Sequence, residues 1–223
     1  KNDRFVIDGQ RLMLVNGIYG ADKAEYKTEI DNFDKIVSYA NSNKSPESFM
    51  VWKNDGTIWE YGTTNDSRIE TQNDNGIILK WLLCKISDRN GNSIVFNYDK
   101  SSKEGTSYIN NIEYTKNETA GLSPAYKILF VYDTKHTDVA MSYVYGNAVT
   151  SNRILKNVVV VNNYTGKELY NYVKEGIAKF SSYQGKLNDL ATLTEFLEFQ
   201  DVIEIKISKL FTYKNILLFI LSS

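Results

Sequence analysis

Apolar and polar residues alternate over most of the first 175 positions, and short polar turns separate the alternating segments. The clearest unit runs from Lys85 to Asp99, where two alternating segments flank Asp88-Arg89-Asn90-Gly91. Asn and Gly accept the positive φ values that a tight hairpin turn requires. The pattern therefore predicts a strand, a turn and a second strand that ends in Tyr98-Asp99.

The same unit recurs along the chain. Asp8-Gly9, Asp55-Gly56 and Thr165-Gly166 each lie between two alternating segments. This spacing of turns is typical of antiparallel sheets rather than of βαβ units. The sequence predicts an all-β fold, in which repeated antiparallel hairpins form a curved sheet. The predicted turn and scaffold residues are Asp8, Gly9, Asp55, Gly56, Asp88, Asn90, Gly91, Tyr98 and Asp99.

Further strands are predicted between these hairpins. Residues 24–39 read as two strands joined near Asp31-Asn32, residues 77–98 as the central hairpin, and residues 67–70, 108–114 and 126–132 as single strands. Only residues 186–200 have the three- and four-residue spacing of a helix, which predicts one short helix there. Ile203, Ile205 and Ile207 alternate with polar residues and predict one more strand.

The turn motifs resemble those of a known family. Asp88-Arg89-Asn90-Gly91-Asn92, followed by Phe96-Asn97-Tyr98-Asp99, resembles the repeat of RHS/YD-repeat proteins. Five segments in order are similar to the segment shared by SpvB-type virulence proteins and the B components of Tc toxin complexes: 3–12, 26–39, 55–62, 81–92 and 112–115. Several motifs in one order are more specific than any single turn.

The resemblance divides the chain in two. It implies an RHS/SpvB-like β-hairpin shell segment at residues 1–175 and a poorly matched strand/helix extension at 176–223, for which truncation is one explanation. In this family, strand-rich segments enclose a toxic C-terminal domain. The Ser-Thr-Ser and Glu-x-Glu patterns of SpvB-type ADP-ribosyltransferases do not occur here, and neither does the Asp-Pro of self-cleaving RHS proteins.

The resemblance therefore implies a non-enzymatic structural segment of a secreted or surface bacterial protein, with no cofactor. Its partners would be neighbouring repeats of the same polypeptide and an enclosed C-terminal domain. The alternative is a carbohydrate- or protein-binding β-sandwich module, for which Trp52, Trp59 and Trp81 are the candidate ligand platforms. A glycoside hydrolase comes third, because it rests only on the scattered acids Glu25, Glu29 and Asp31.

Composition narrows the remaining chemistry. The net charge of −1 gives no basic surface for a phosphate backbone, so nucleic acid is not an expected partner. The only cysteine, Cys84, lies in an apolar run and is expected to be a buried strand residue. The only histidine, His136, lies in a polar stretch that reads as a loop, and one histidine excludes a multi-histidine metal site.

Two further expectations concern metal binding and association. The oxygen side chains from Asp88 to Asn92 suggest a calcium loop, but the glycine falls at the fourth position and position twelve is Asp99 rather than Glu, so an Asx-stabilised turn is the better interpretation. The longest apolar run, Ile216–Leu221, is too short to span a membrane and predicts self-association through edge strands. The chain begins without an initiator Met, which predicts either a piece of a longer polypeptide or a mature chain after processing.

Overall fold

The computed structural model describes residues 4–40, 46–71, 77–101, 104–133, 139–144 and 147–171. Within these ranges lie sixteen strands and a 3-10 turn, η1, at Asn65–Ser67. The strands are β1 Val6–Ile7, β2 Gln10–Asn16, β3 Glu25–Thr28, β4 Lys35–Tyr39, β5 Ser48–Trp52, β6 Ile58–Tyr61, β7 Arg68–Glu70, β8 Ile78–Trp81, β9 Leu83–Ser87, β10 Asn92–Ser101, β11 Thr106–Asn117, β12 Tyr126–Asp133, β13 Ala140–Val144, β14 Asn147–Ser151, β15 Ile154–Asn162 and β16 Glu168–Asn171.

Twelve of these strands form one open sheet in the order β1-β2-β3-β4-β5-β6-β9-β10-β11-β12-β15-β16. Almost every strand pairs with the next strand along the chain, so the sheet is an antiparallel meander. The chain leaves this order twice, to make the separate pairs β7–β8 and β13–β14. The prediction of an all-β fold built from antiparallel hairpins in a curved sheet is confirmed.

One face of the sheet carries the apolar core. Residues that lie directly opposite one another in neighbouring strands share a face. Two buried rows follow from the register: Tyr26, Ile36, Val51, Trp59 and Ile86 across β3 to β9, and Phe96, Ile112, Ile128 and Val160 across β10 to β15. Because Ile94 lies opposite Ile86 and two residues before Phe96, both rows occupy the same face.

The opposite face carries several ion pairs. Lys85 Nζ lies 3.6 Å from Glu60 Oε1 across the strand pair β6–β9 and 3.0 Å from Glu118 Oε1. Lys35 Nζ lies 2.8 Å from Glu25 Oε1 between β4 and β3. The alternation in the sequence therefore places ion pairs on the face opposite the two apolar rows, and Val37, Val159 and Val161 are buried on that same opposite face.

An aromatic cluster packs on the apolar face of β3 and β5. Its members are Phe5, Tyr19, Tyr26, Phe49 and Trp81, with ring centroids 4.9–6.3 Å apart. Most pairs meet edge to face, the arrangement that the ring quadrupole favours. Trp81 Nε1 donates to Pro46 O at 2.9 Å, and the hydroxyl of Tyr26 accepts from Gly20 N at 2.8 Å. The polar ends of these rings are therefore satisfied inside the core.

The structure corrects two details of the sequence-based elements. Residues 77–98 do not form one hairpin, because the chain changes sheets at Leu82: β8 pairs with β7, whereas β9 pairs with β6 and β10. The β13–β14 hairpin was not predicted, because Ala140 to Ser151 lacks a clear alternation between apolar and polar residues. The predicted helix at 186–200, the predicted strand at 203–207 and the apolar run at 216–221 lie outside the described residues.

Candidate functional site: a row of interlocked turns

Alternate connections of an antiparallel meander meet at the same end of the sheet. Six of them, which we call the turn row, lie at one end: residues 8–9, 29–34, 53–57, 88–91, 118–125 and 163–167. The other end carries the longer connections, including β7–β8 and β13–β14. The turn row is where the topology brings most of the sequence-predicted residues together.

The first two predicted turns lie in the turn row. Asp8 and Gly9 take φ values of 49° and 75° between β1 and β2, and Gly56 takes 87° between β5 and β6. Asp55 Oδ1 accepts from Thr57 N at 2.8 Å and from Thr57 Oγ1 at 2.7 Å. These bonds lower the pKa of Asp55, the side-chain bond from Thr57 most of all. The Asp55 carboxylate is therefore committed to holding its turn.

The Asp88 turn is built in the same way. Asp88 Oδ1 accepts from the backbone N–H groups of Asn90 and Asn92, each at 2.9 Å, and Oδ2 accepts from Asn92 Nδ2 at 2.8 Å. The Asn92 side-chain bond is the largest cause of the lowered pKa of Asp88. Gly91 has a φ of 83°. The oxygens that suggested a calcium loop are thus engaged in an Asx-type turn.

Neighbouring turns bond to one another. Asn54 N donates to Asp34 Oδ1 at 3.3 Å, and Asn54 Nδ2 donates to Asn32 O at 3.2 Å. Farther along the row, Glu118 N donates to Gly91 O at 2.8 Å, and Asn163 N donates to Ala125 O at 2.8 Å. These bonds therefore join the turns at 29–34 and 53–57 in one group, and the turns at 88–91, 118–125 and 163–167 in a second group.

A buried ion pair supports the row, and sequence reasoning missed it. Lys53 Nζ lies 2.8 Å from Asp34 Oδ2, and the two side chains are only 15% and 4% exposed. Lys53 Nζ also lies 5.1 Å from the centroid of the Trp59 ring, a cation–π distance. The partners lie nineteen positions apart in the sequence, and only the register of β4 with β5 brings their two turns together, so sequence reasoning does not show the pair.

Tyr98 and Asp99 do not join the turn row; they lie toward the opposite end of β10. The Tyr98 hydroxyl donates to Leu83 O at 2.6 Å, and burial raises the pKa of Tyr98 above its ordinary value. Asp99 pairs with Arg153, which follows the β13–β14 hairpin. The guanidinium carbon of Arg153 lies 4.5 Å from the centroid of the Tyr108 ring. Asp99 therefore ties β10 to the start of β15.

The other sequence candidates have structural roles or lie elsewhere. Cys84 is buried, as expected, and its Sγ lies 2.8 Å from Thr63 Oγ1. Among the scattered acids, Glu25 pairs with Lys35, and Asp31 pairs with Lys27 at 2.7 Å, which lowers the pKa of Asp31. His136 lies outside the described residues.

Two other kinds of site are absent from the part of the chain that the structure describes. No group of three or more His, Cys, Asp or Glu side chains there is arranged to hold a metal ion. No helix within the same ranges has the length and apolar character that crossing a membrane requires.

Comparison with solved structures places this fold among toxin components. The N-terminal domain of effector protein SpvB from Salmonella typhimurium strain LT2 is 11% identical, with a TM-score of 0.54, over 74% of this chain and 69% of that domain. The Photorhabdus luminescens Tc holotoxin pore is 13% identical, with a TM-score of 0.56, over 71% of this chain and 10% of that one. The TcdB2–TccC3 crystal structure is 15% identical, with a TM-score of 0.56, over 70% of this chain.

At such low identity these likenesses show the shared fold, and the chain spans about a tenth of the length of the Tc toxin chains that it matches. A search of the curated proteins found no match. The family model described as Salmonella virulence plasmid 65kDa B protein, SpvB, matches residues 14–173, which is more than half of the chain. The resemblance seen in the sequence is confirmed: the chain belongs to the SpvB family and is a toxin-related segment.

Proposed function

We propose that the chain is a non-enzymatic structural segment of a secreted or surface RHS/YD-repeat toxin-like protein. It contributes to a β-shell that encloses or presents a toxic C-terminal domain. The observation that carries the proposal is the single open meander of twelve strands, with apolar rows on one face and ion pairs on the other. A wall that separates two environments needs this asymmetry across its thickness.

The edge strands of the sheet indicate where partner strands would pair. Within the described residues, β1 and β16 each have a neighbour on one side only. An edge strand exposes backbone N–H and C=O groups that a neighbouring strand can pair. Repeat architectures bury such edges against adjacent units. Neighbouring repeats of the same polypeptide are therefore the proposed partners of β1 and β16, with an enclosed C-terminal domain as the cargo.

The roles of the polar side chains support a structural segment. Asp55 and Asp88 close their own turns, and Asp34 is paired with Lys53. Cys84 is 2% exposed and lies against Thr63 and the Glu60 carbonyl. A catalytic carboxylate or thiol needs access to a substrate. Each of these groups instead has a partner within the sheet.

The sugar-binding alternative lacks a specific observation in its favour. A sugar platform needs a flat, exposed aromatic ring. Trp59 is 7% exposed, and Trp81 packs edge to face against Phe5 and Phe49. The Trp52 ring is half-buried, with Lys35 Nζ 5.9 Å from its centroid. The main strands also form one continuous sheet rather than the two facing sheets of a sandwich. The shell segment is therefore the proposal that the geometry favours.

Limited proteolysis of the complete polypeptide tests the proposal. The C-terminal domain should resist protease in the wild type and be digested when Gly91→Val opens the wall. A variant with a milder glycine change, Gly121→Ala, is the control, because a Cβ at Gly121 meets nothing within 4 Å. Equal digestion of the C-terminal domain in the wild type and Gly91→Val would contradict enclosure. Loss of toxicity from a surface change in this segment, with protection intact, would contradict the non-enzymatic role.

A further inference from the structure

The dipeptide Asn-Gly occurs three times in the chain, and the structure describes two of these copies, Asn16-Gly17 and Asn90-Gly91. Asparagine is a chemically labile residue, and it is especially labile before glycine, which has no Cβ to hinder the approach of its backbone nitrogen to the asparagine side chain. The third copy, Asn75-Gly76, lies outside the described residues. The two described copies share the same reacting groups, so a difference in their reactivity would come from the fold.

Hydrogen bonds hold Asn90-Gly91 in its turn. Gly91 N, the atom that would attack the asparagine side chain, donates to Asp88 O at 3.3 Å, and Gly91 O accepts from Glu118 N at 2.8 Å. Asn90 N donates to Asp88 Oδ1 at 2.9 Å, and Asn90 O accepts from Asn117 Nδ2 at 3.2 Å. The attack therefore requires the turn to open and several of these bonds to break.

Asn16-Gly17 lies at an exposed strand end and lacks these restraints. Asn16 is the last residue of β2, and both Asn16 and Gly17 are exposed. Neither the Asn16 side chain nor Gly17 N makes a hydrogen bond with the residues that the structure describes. β1 pairs with β2 only at Gln10 and Arg11, so among the described strands the Asn16 end of β2 pairs with β3 alone. A strand end that is held on one side opens at little cost in free energy.

We infer that Asn16 is a site of spontaneous deamidation in the folded chain and that Asn90 is protected. The backbone nitrogen of Gly17 attacks Cγ of Asn16, so that an N–Cγ bond forms and the Cγ–Nδ2 bond breaks. The amide proton of Gly17 leaves with the side-chain NH2 group as ammonia, and a cyclic succinimide remains. Water, the one co-reactant, then opens the ring at either carbonyl and leaves aspartate or isoaspartate. Nothing is oxidised or reduced.

The products weaken the pairing of β2 with β3. Asn16 lies directly opposite Glu25 in β3, and Glu25 Oε1 lies 2.8 Å from Lys35 Nζ. Aspartate at this position brings two carboxylates together across the strand pair, where like charges are destabilising. Isoaspartate also routes the main chain through the side-chain methylene carbon, which lengthens the backbone and disturbs the local register. Deamidation therefore loosens the end of β2 as the protein ages, whether or not the chain is part of a shell.

Peptide mass spectrometry of the 223-residue chain tests this site. The chain is incubated in a mildly alkaline buffer, which favours loss of the attacking amide proton, and the deamidated fraction at positions 16 and 90 is followed over time. In the native chain Asn16 should be converted about tenfold faster than Asn90, because the rate at Asn90 follows the fraction of molecules in which its turn is open. In urea that unfolds the chain, the two rates should become similar, since the reacting groups are the same.

Two variants separate the effect of the fold from that of the sequence. Asp88→Ala removes the carboxylate that holds the turn, so it should raise the rate at Asn90 and leave the rate at Asn16 unchanged. Asn16→Gln should suppress modification at position 16, because attack on the longer side chain closes a larger ring. Equal rates at Asn16 and Asn90 in the native chain, or faster conversion of Asn90, would overturn the inference. Conversion of Asn16 in urea but not in the native chain would overturn it as well.

Discussion

Gly91 should be the position at which adding one carbon does the most damage to the turn row. Its φ of 83° alone should cost an alanine about 1–2 kcal/mol. A Cβ at Gly91 would also lie 2.2 Å from Thr119 Oγ1 and 2.9 Å from Thr119 N. The hydroxyl can rotate away but the backbone nitrogen cannot, and overpacking of this kind costs about 1–3 kcal/mol. Gly91→Ala should therefore lower the free energy of unfolding by roughly 2–5 kcal/mol.

Gly121→Ala is the matched control for this change. Gly121 has a φ of 64° and lies in the same connection as Thr119, but nothing lies within 4 Å of its added Cβ. It should cost only the conformational part, about 1–2 kcal/mol. Urea unfolding followed by tryptophan fluorescence measures both variants, with the m-value checked for constancy. Equal midpoints for Gly91→Ala and Gly121→Ala would refute the contact between neighbouring turns.

Three other predictions follow from the polar groups. Asp34→Ala should lower the free energy of unfolding by about 3–5 kcal/mol, because it leaves Lys53 buried without its partner; a loss in urea unfolding no larger than that of Lys53→Met would argue against this. Because the folded-state pKa of Asp88 is lowered, its contribution to stability is present above the ordinary Asp pKa and is lost as pH falls through the folded value. Asp88→Asn should therefore flatten the acid side of a stability–pH curve, and an unchanged slope would count against the hydrogen bonds from Asn92. Cys84 should react with Ellman's reagent only when the protein unfolds, and stoichiometric reaction under native conditions would contradict its burial.

The sequence predicted the turns because their signals are local. Gly56 and Gly91 must supply positive φ within a few residues of an Asp that accepts backbone bonds, so composition and spacing suffice. The alternation between apolar and polar residues likewise assigns most strands to one sheet with one buried face. These features need no knowledge of which strands are neighbours.

The contacts between residues that are distant in the sequence could not be predicted from these local signals. Asp34 meets Lys53 only because β4 pairs with β5 in one register, and Arg153 meets Asp99 across fifty-four positions of sequence. The change of sheet at Leu82 was hidden because Leu82 lies inside the apolar run Trp81-Leu82-Leu83-Cys84, which contains no turn signal. Phe33 would ordinarily be assigned to a core, and nothing in the alternation marks it as exposed. Each of these depends on pairing that is fixed over the whole sheet.

The order of the strands has a consequence for how the chain can acquire its structure. Most strands pair with the one just synthesised, so each new hairpin can add to an existing edge without waiting for a distant segment. Local pairing of this kind lowers the entropy cost of closing loops and shortens the time that an unpaired edge is exposed. The sheet is thus suited to form progressively from one terminus as the polypeptide emerges from a ribosome or a narrow channel. The exceptions, β7–β8 and β13–β14, are themselves hairpins of adjacent strands, so they can close while the main sheet continues past them.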